Sequence, residues 1–193
     1  RRPQPCRDVL GTPRASAGFS KWLPLEIVAD ALVAHGVSHV FGVPGESYLA
    51  VLDAMHDTDI EFVICRQEGG AAYMAEAWGR LTGDPGVCMV TRGPGATNAS
   101  VGIHAARENS QPMVVLIGQV ATDEMGREAF QEIDYRAFLG PITKWATQVD
   151  DVDELAETIS MAFLSSNIGK VKIRCSLMAS RMIIIKDSAL ATD

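Results

Sequence analysis

A single carboxylate, Glu68, stands in the run Cys65-Arg66-Gln67-Glu68-Gly69-Gly70-Ala71-Ala72. On one side lies the apolar triplet Phe62-Val63-Ile64, and on the other an alanine-rich stretch over residues 71–81. A Glu at such a strand-to-helix junction can be desolvated and can point across a cleft instead of into bulk water. A carboxyl group placed there can exchange a proton with a bound molecule. Its plainer role is that of a helix-start acid facing the positive end of the helix dipole. A second junction follows in Val90-Thr91-Arg92-Gly93-Pro94-Gly95-Ala96-Thr97-Asn98. A Gly-rich turn running into a helix N-terminus suits an anion or a polar ring, or is simply a tight turn. It is not a phosphate-cradling P-loop, because no Gly-Lys-Ser/Thr follows, and Asn98 stands where G-x-G-x-x-G needs its third Gly.

The elements that must carry these junctions alternate along the chain. Pro24 suits a helix start; Leu25, Val28, Ala31, Leu32 and His35 share one face at 3- and 4-residue spacing, and Gly36 stops that helix. Residues 37–43 read as a strand and Pro44-Gly45-Glu46-Ser47 as a turn, with Ser47 as the N-cap of a helix over 48–56. A strand over 60–64 leads to Glu68 and a helix that Gly83-Asp84-Pro85 terminates. Residues 87–90 and 112–117 read as strands flanking a helix over 96–107. A longer loop then carries Phe130-Gln131-Glu132, before a strand over 145–149 and a helix to about residue 164 capped by Asp151 or Asp153. This rhythm predicts a three-layer α/β/α domain with a mostly parallel sheet of about six strands. Loops 43–47, 65–69 and 91–96 leave the carboxyl ends of strands, so they should converge where open α/β sheets bind ligands.

Composition narrows the function classes. The 193 residues suffice for one domain with a full core, and 47% hydrophobic against 21% charged residues is an ordinary globular balance. A net charge of −7, with no basic stripe, argues against a nucleic-acid surface. No apolar run reaches the roughly 18 residues of a membrane span. Cys6, Cys65, Cys88 and Cys175 are scattered and read as reduced thiols, hence a cytoplasmic location. His35, His39, His56 and His104 show no metal spacing, and His104 reads as a packed or exposed helix residue. Residues 1–23 form a leader, either disordered or, from the Arg, Ser and Ala content of residues 1–20, the remnant of an organelle transit peptide.

Taken together, the Arg-Gln-Glu-Gly-Gly-Ala-Ala and Gly-Pro-Gly-Ala-Thr-Asn strings resemble the pyrimidine-binding domain of thiamine-diphosphate enzymes, in particular the acetolactate-synthase-like group. The resemblance covers residues 24–166 and implies that Glu68 bonds a ring nitrogen of the cofactor's aminopyrimidine and activates it. It implies that Pro94 and Asn98 flank that ring, that Val43, Pro44 and Gly45 form the first loop against it, and that Gln131 reaches the reacting centre from the neighbouring subunit, unless it is a surface polar residue. Val43 and Glu46 depart from the aromatic-Pro-Gly-Gly of biosynthetic acetolactate synthases, and Arg92 replaces a more usual Ser. These departures concern the substrate, not the cofactor.

The resemblance further implies decarboxylation or carboligation of 2-oxo acids, and a diphosphate held through Mg2+ by a Gly-Asp-Gly motif in a second domain. Gly83-Asp84 is followed by Pro85, so this stretch is no such motif, and only the pyrimidine end of the cofactor is assigned to this chain. The implied partner is a second copy or a diphosphate-domain subunit. The alternative is a non-catalytic dimerisation or regulatory module retaining the fold, and a nucleotide-binding protein is disfavoured by the missing glycine. Gly169-Lys170-Val171-Lys172-Ile173 echoes the family's next strand and closes the domain at residue 173. Residues 174–193 read as an atypical tail outside the native architecture, in which Met182-Ile183-Ile184-Ile185 is either one more strand at an edge or a sticky exposed segment.

Overall fold

Two apolar runs form the centre of the sheet. β3 (Gly86–Val90) and β4 (Met113–Gln119) are buried at every position, as strands covered on both faces must be. The computed structural model describes residues 23–167 and 180–186. Its other strands are β1 (His39–Gly42), β2 (Glu61–Ile64), β5 (Trp145–Val149) and β6 (Ser180–Lys186), and its helices are α1 (Leu23–Ala34), α2 (Leu49–His56), α3 (Glu68–Thr82), α4 (Pro94–Glu108), α5 (Tyr135–Leu139) and α6 (Leu155–Asn167). All six strands run parallel in the order β2-β1-β3-β4-β6-β5.

Right-handed crossovers decide which face each helix covers. The steps β1 to β2 and β5 to β6 move toward the β2 edge, so α2 and α6 share one face, where α1 joins them. There Leu32, Val51, Ile159 and Phe163 pack on Val40, Val87, Met89, Val114 and Leu116. The steps from β2 to β3, β3 to β4 and β4 to β5 move the other way. They put α3, α4 and α5 on the opposite face, over Phe41, Cys88, Val90, Val115 and Ile117. The strict alternation of these residues along β3 and β4 is the two-residue period of a strand.

Close approach of α3 and α4 sets the geometry that matters below. Their buried residues are mostly small, Ala71, Ala72, Ala75 and Gly79 on α3 and Ala99, Gly102 and Ala106 on α4, and Gly102 lies directly against Ala72. A Cβ at residue 102 would lie 2.5 Å from that of Ala72 and 2.8 Å from backbone atoms of Ala72 and Tyr73. Gly102→Ala is therefore expected to push the helices apart and to destabilise by about 1–2 kcal/mol in chemical denaturation, despite Ala's better helix propensity.

The α/β expectation holds, with differences at element ends and in the tail. α3 begins at Glu68, not at residue 71, because the extended Gln67 caps it: its side-chain oxygen accepts from Gly70 N at 2.9 Å. Asp151, one of the two caps expected for the helix ending near residue 164, caps instead the 3-10 turn Val152–Glu154 that leads into α6, accepting from Asp153 N at 3.0 Å. Ser47 is not a helix cap; α2 follows a short 3-10 turn with no side-chain cap. The tail requires a larger correction. Residues 180–186 are not an appendage or an edge strand but pair along their length with β4 on one side and with β5 on the other. The sheet thus extends past the expected boundary at residue 173, because without β6 the inner edges of β4 and β5 would each lack a neighbour. Of the 1–23 leader, residue 23 begins α1, and residues 1–22 and the 169–173 strand lie outside the described residues. Among the described residues, no helix is long and apolar enough to cross a membrane.

Candidate functional site

The strand order reverses at β1, which has β2 on one side and β3 on the other. The chain leaving β1 and the chain leaving β3 therefore turn toward opposite faces, and a crevice opens between them at the carboxyl edge. Ser47 and Thr91 close the bottom of this crevice, their hydroxyls 2.8 Å apart, and Ser47 Oγ also accepts from Arg92 N at 3.3 Å. That bond is what Ser47 does in place of capping a helix. Gly45 lies against the same threonine, since a Cβ there would come within 2.4 Å of Thr91 Cβ. Tyr48, almost fully buried, donates to Val43 O and, at 3.4 Å, to Met89 O.

Glu68 enters the crevice from the first turn of α3. Asn98, one turn into α4, donates from Nδ2 to Glu68 Oε2 at 3.0 Å. The packing of small residues between α3 and α4 is what brings the two side chains within reach, since a Cβ on Gly69 would lie 3.1 Å from Asn98 O. Among the described residues no donor reaches the other oxygen, Oε1. A Cβ on Gly95 would stand 3.6 Å from it and 2.8 Å from Thr91 Cγ2, so the glycine keeps this side open. Burial pushes the Tyr48 hydroxyl well above its ordinary range, with smaller contributions in the same direction from Cys88 and Glu68.

The remaining predicted residues sit around this centre. Pro94 begins α4 beside Asn98, exposed, as is Pro44, which borders an open apolar groove with Leu52, Phe62 and Ile64. Gln131 meets the site through Gly93 and makes no described contact with Glu68. Gly93 has φ 58, and a Cβ on it would come 2.6 Å from Gln131 Cβ, so only glycine fits. Tyr135, fully buried on α5, fixes the same turn by accepting from Gly93 N at 2.6 Å. His104 is exposed and lies 3.6 Å from Glu108, one helical turn on. Thr91, Tyr48 and Tyr135 were not singled out from the sequence. Thr91 belongs to the Val90–Asn98 string, whereas the tyrosines carry no local signal, because their bonds to Val43, Met89 and Gly93 are made only on folding.

Comparison with known proteins settles the class. Residues 25–138 match the family model described as thiamine pyrophosphate enzyme, N-terminal TPP binding domain. The chain belongs to this family. Its TPP-binding domain is 43% identical over 145 residues to the acetolactate synthase of Bacillus subtilis, covering 75% of this chain and 25% of that protein. It is 42% identical over 146 residues to the mitochondrial acetolactate synthase catalytic subunit of Aspergillus candidus, covering 75% of this chain and 21% of the relative. It is 41% identical over 145 residues to a probable acetolactate synthase large subunit of Methanocaldococcus jannaschii, covering 75% and 24%. The chain thus spans about a quarter of the length of these relatives, and the TPP-binding domain is acetolactate-synthase-like.

Proposed function

We propose that this chain holds the pyrimidine end of thiamine diphosphate and supplies the activating carboxylate of an enzyme acting on 2-oxo acids, completed by a domain that binds the diphosphate and Mg2+. The observation that carries the reading is the Glu68 carboxylate, tied by Asn98 through one oxygen and left open at the other, in the crevice between the β1 and β3 loops. When bound, the cofactor supplies a nucleophilic carbon and an electron sink for decarboxylation. Glu68 Oε1 is the atom that would exchange a proton with a ring nitrogen. Asn98 holds the other oxygen, so the carboxyl group does not turn away. Val43, Pro44 and Gly45 on one side, and Pro94 on the other, would bound the ring. Gln131, presented at the rim, would act at the substrate end of a site shared with a neighbouring subunit.

A second copy is the partner we infer. Tyr73, Met74 and Leu81 on α3 and Val101 on α4 are 49%, 45%, 85% and 53% exposed, a run of apolar surface on the helices that carry Glu68 and Asn98. The compartment we infer is the cytoplasm, in keeping with the free thiols of Cys65 and Cys88.

Thermal shift tests the reading on the full 193-residue chain. Thiamine and thiamine diphosphate with Mg2+ are expected to raise the melting temperature by similar, small amounts, and NAD is expected to have no effect. The pure chain is expected to show no 2-oxo acid turnover. A strong Mg2+-dependent preference for the diphosphate form would overturn the pyrimidine-end assignment, and turnover by the monomeric chain would overturn the need for a second domain.

A further inference from the structure

One arginine ties together three of the loops at the carboxyl edge of the sheet. Arg92, just after β3, places Nη2 2.6 Å from Oε1 of Glu46, just after β1. The same guanidinium donates from Nε to Phe130 O at 3.2 Å, in the loop after β4. Its backbone is fixed independently, by Arg92 N donating to Ser47 Oγ. The Arg92 side chain is only 14% exposed, whereas Glu46 is 61% exposed, so the arginine lies inside the junction and the glutamate anchors it from the rim.

The loop that Arg92 grips needs holding. Glu128 and Gln131 both have left-handed backbones, with φ of 55° and 66°, which side-chain-bearing residues adopt only when their surroundings impose it. Its base has its own fastening. The Glu132 carboxylate accepts from Gly126 N at 2.6 Å and Ala129 N at 3.1 Å, and these amides, Gly126 first, hold it below the usual carboxylate range. Those bonds close the base of the loop and leave its tip, where Phe130 is 74% exposed, to Arg92. Gln131 is the next residue, pressed against Gly93.

We propose that Arg92, anchored by Glu46, is the positioning residue that sets Gln131 at the rim of the crevice. The inference rests on the reading of that crevice as the cofactor site given above. Only an arginine meets the geometry: its planar fork donates from Nε and Nη2 to two acceptors in different loops at once, whereas a lysine ammonium would satisfy Glu46 and release the Phe130 carbonyl.

Amide hydrogen exchange on the full chain tests this, with Arg92→Gln, Arg92→Lys and Glu46→Gln. Arg92→Gln is expected to speed exchange across residues 126–132 by about tenfold, with β3 and β4 unchanged, since only a local opening is made easier. Arg92→Lys should loosen the same residues nearly as much although its charge is kept, and Glu46→Gln should loosen them less. Unchanged exchange over 126–132 in Arg92→Gln, full rescue by Arg92→Lys, or equal loosening of β3 and β4 would each overturn the proposal. The thiamine-induced thermal shift of the unaltered chain is read in parallel. Its absence would count against the cofactor reading, while the exchange pattern decides separately whether Arg92 positions the loop.

Discussion

Replacing Glu68 by Gln is expected to lower turnover of the assembled enzyme proposed above by about 10²–10⁴-fold, the range over which a positioned acid–base group contributes. The two side chains have the same shape. A Gln at this place keeps an oxygen to accept from Asn98 Nδ2, so the contact between α3 and α4 survives. What it loses is the exchangeable proton on the oxygen that faces the crevice. The fold should be unaffected, with a melting temperature within a degree or two, because surface-accessible changes that keep their partner are nearly neutral. Proton exchange at the cofactor's reactive carbon is the direct measurement. A near-normal exchange rate in Glu68→Gln would mean that the carboxyl group serves only as a helix-start acid, and the proposed role would be wrong.

Ile184→Pro is expected to cost about 3 kcal/mol or more, since proline removes a ladder hydrogen bond and is tolerated essentially only on edge strands. Ile184 pairs with Ile117 of β4 and with Gln148 of β5, so the substitution falls between two neighbours. At roughly 2–4 °C per kcal/mol for a domain of this size, the melting temperature should fall by about 6–12 °C. Removing residues 180–193 altogether should have a larger effect, leaving facing edges of β4 and β5 unpaired. A circular-dichroism melt unchanged by either alteration would return these residues to the role of a dispensable tail.

Most of the domain was legible because its local rules agree with its global ones. The apolar runs of β3 and β4, the alanine-rich stretch of α3 and the punctuation at Gly36 and Gly83 each announce an element through composition, periodicity or turn chemistry. The convergence of the 43–47, 65–69 and 91–96 loops also followed, since parallel strands joined by right-handed crossovers put those ends on one edge. The placement of residues 180–186 did not follow. An isoleucine-rich run is equally consistent with an edge, a centre or an exposed segment, and only the gap between β4 and β5 selects among them.

The sequence by itself determined the class of the protein, the rhythm of its sheet and the placing of Glu68 at a strand-to-helix junction. Those depend on short-range spacing: a Glu between a strand and a small-residue helix, and a Gly-Pro-Gly turn before Asn98. Tertiary structure alone decided that Ser47 bonds Thr91 instead of capping α2, that buried Tyr48 and Tyr135 fasten the loops on either side of the crevice, and that Arg92 reaches both Glu46 and Phe130. Each of these joins residues from different loops, brought together by crossovers that no local pattern measures. The physical reason is the same in every case. A side-chain donor finds its acceptor by distance in space, and that distance exists only once the sheet order has been set.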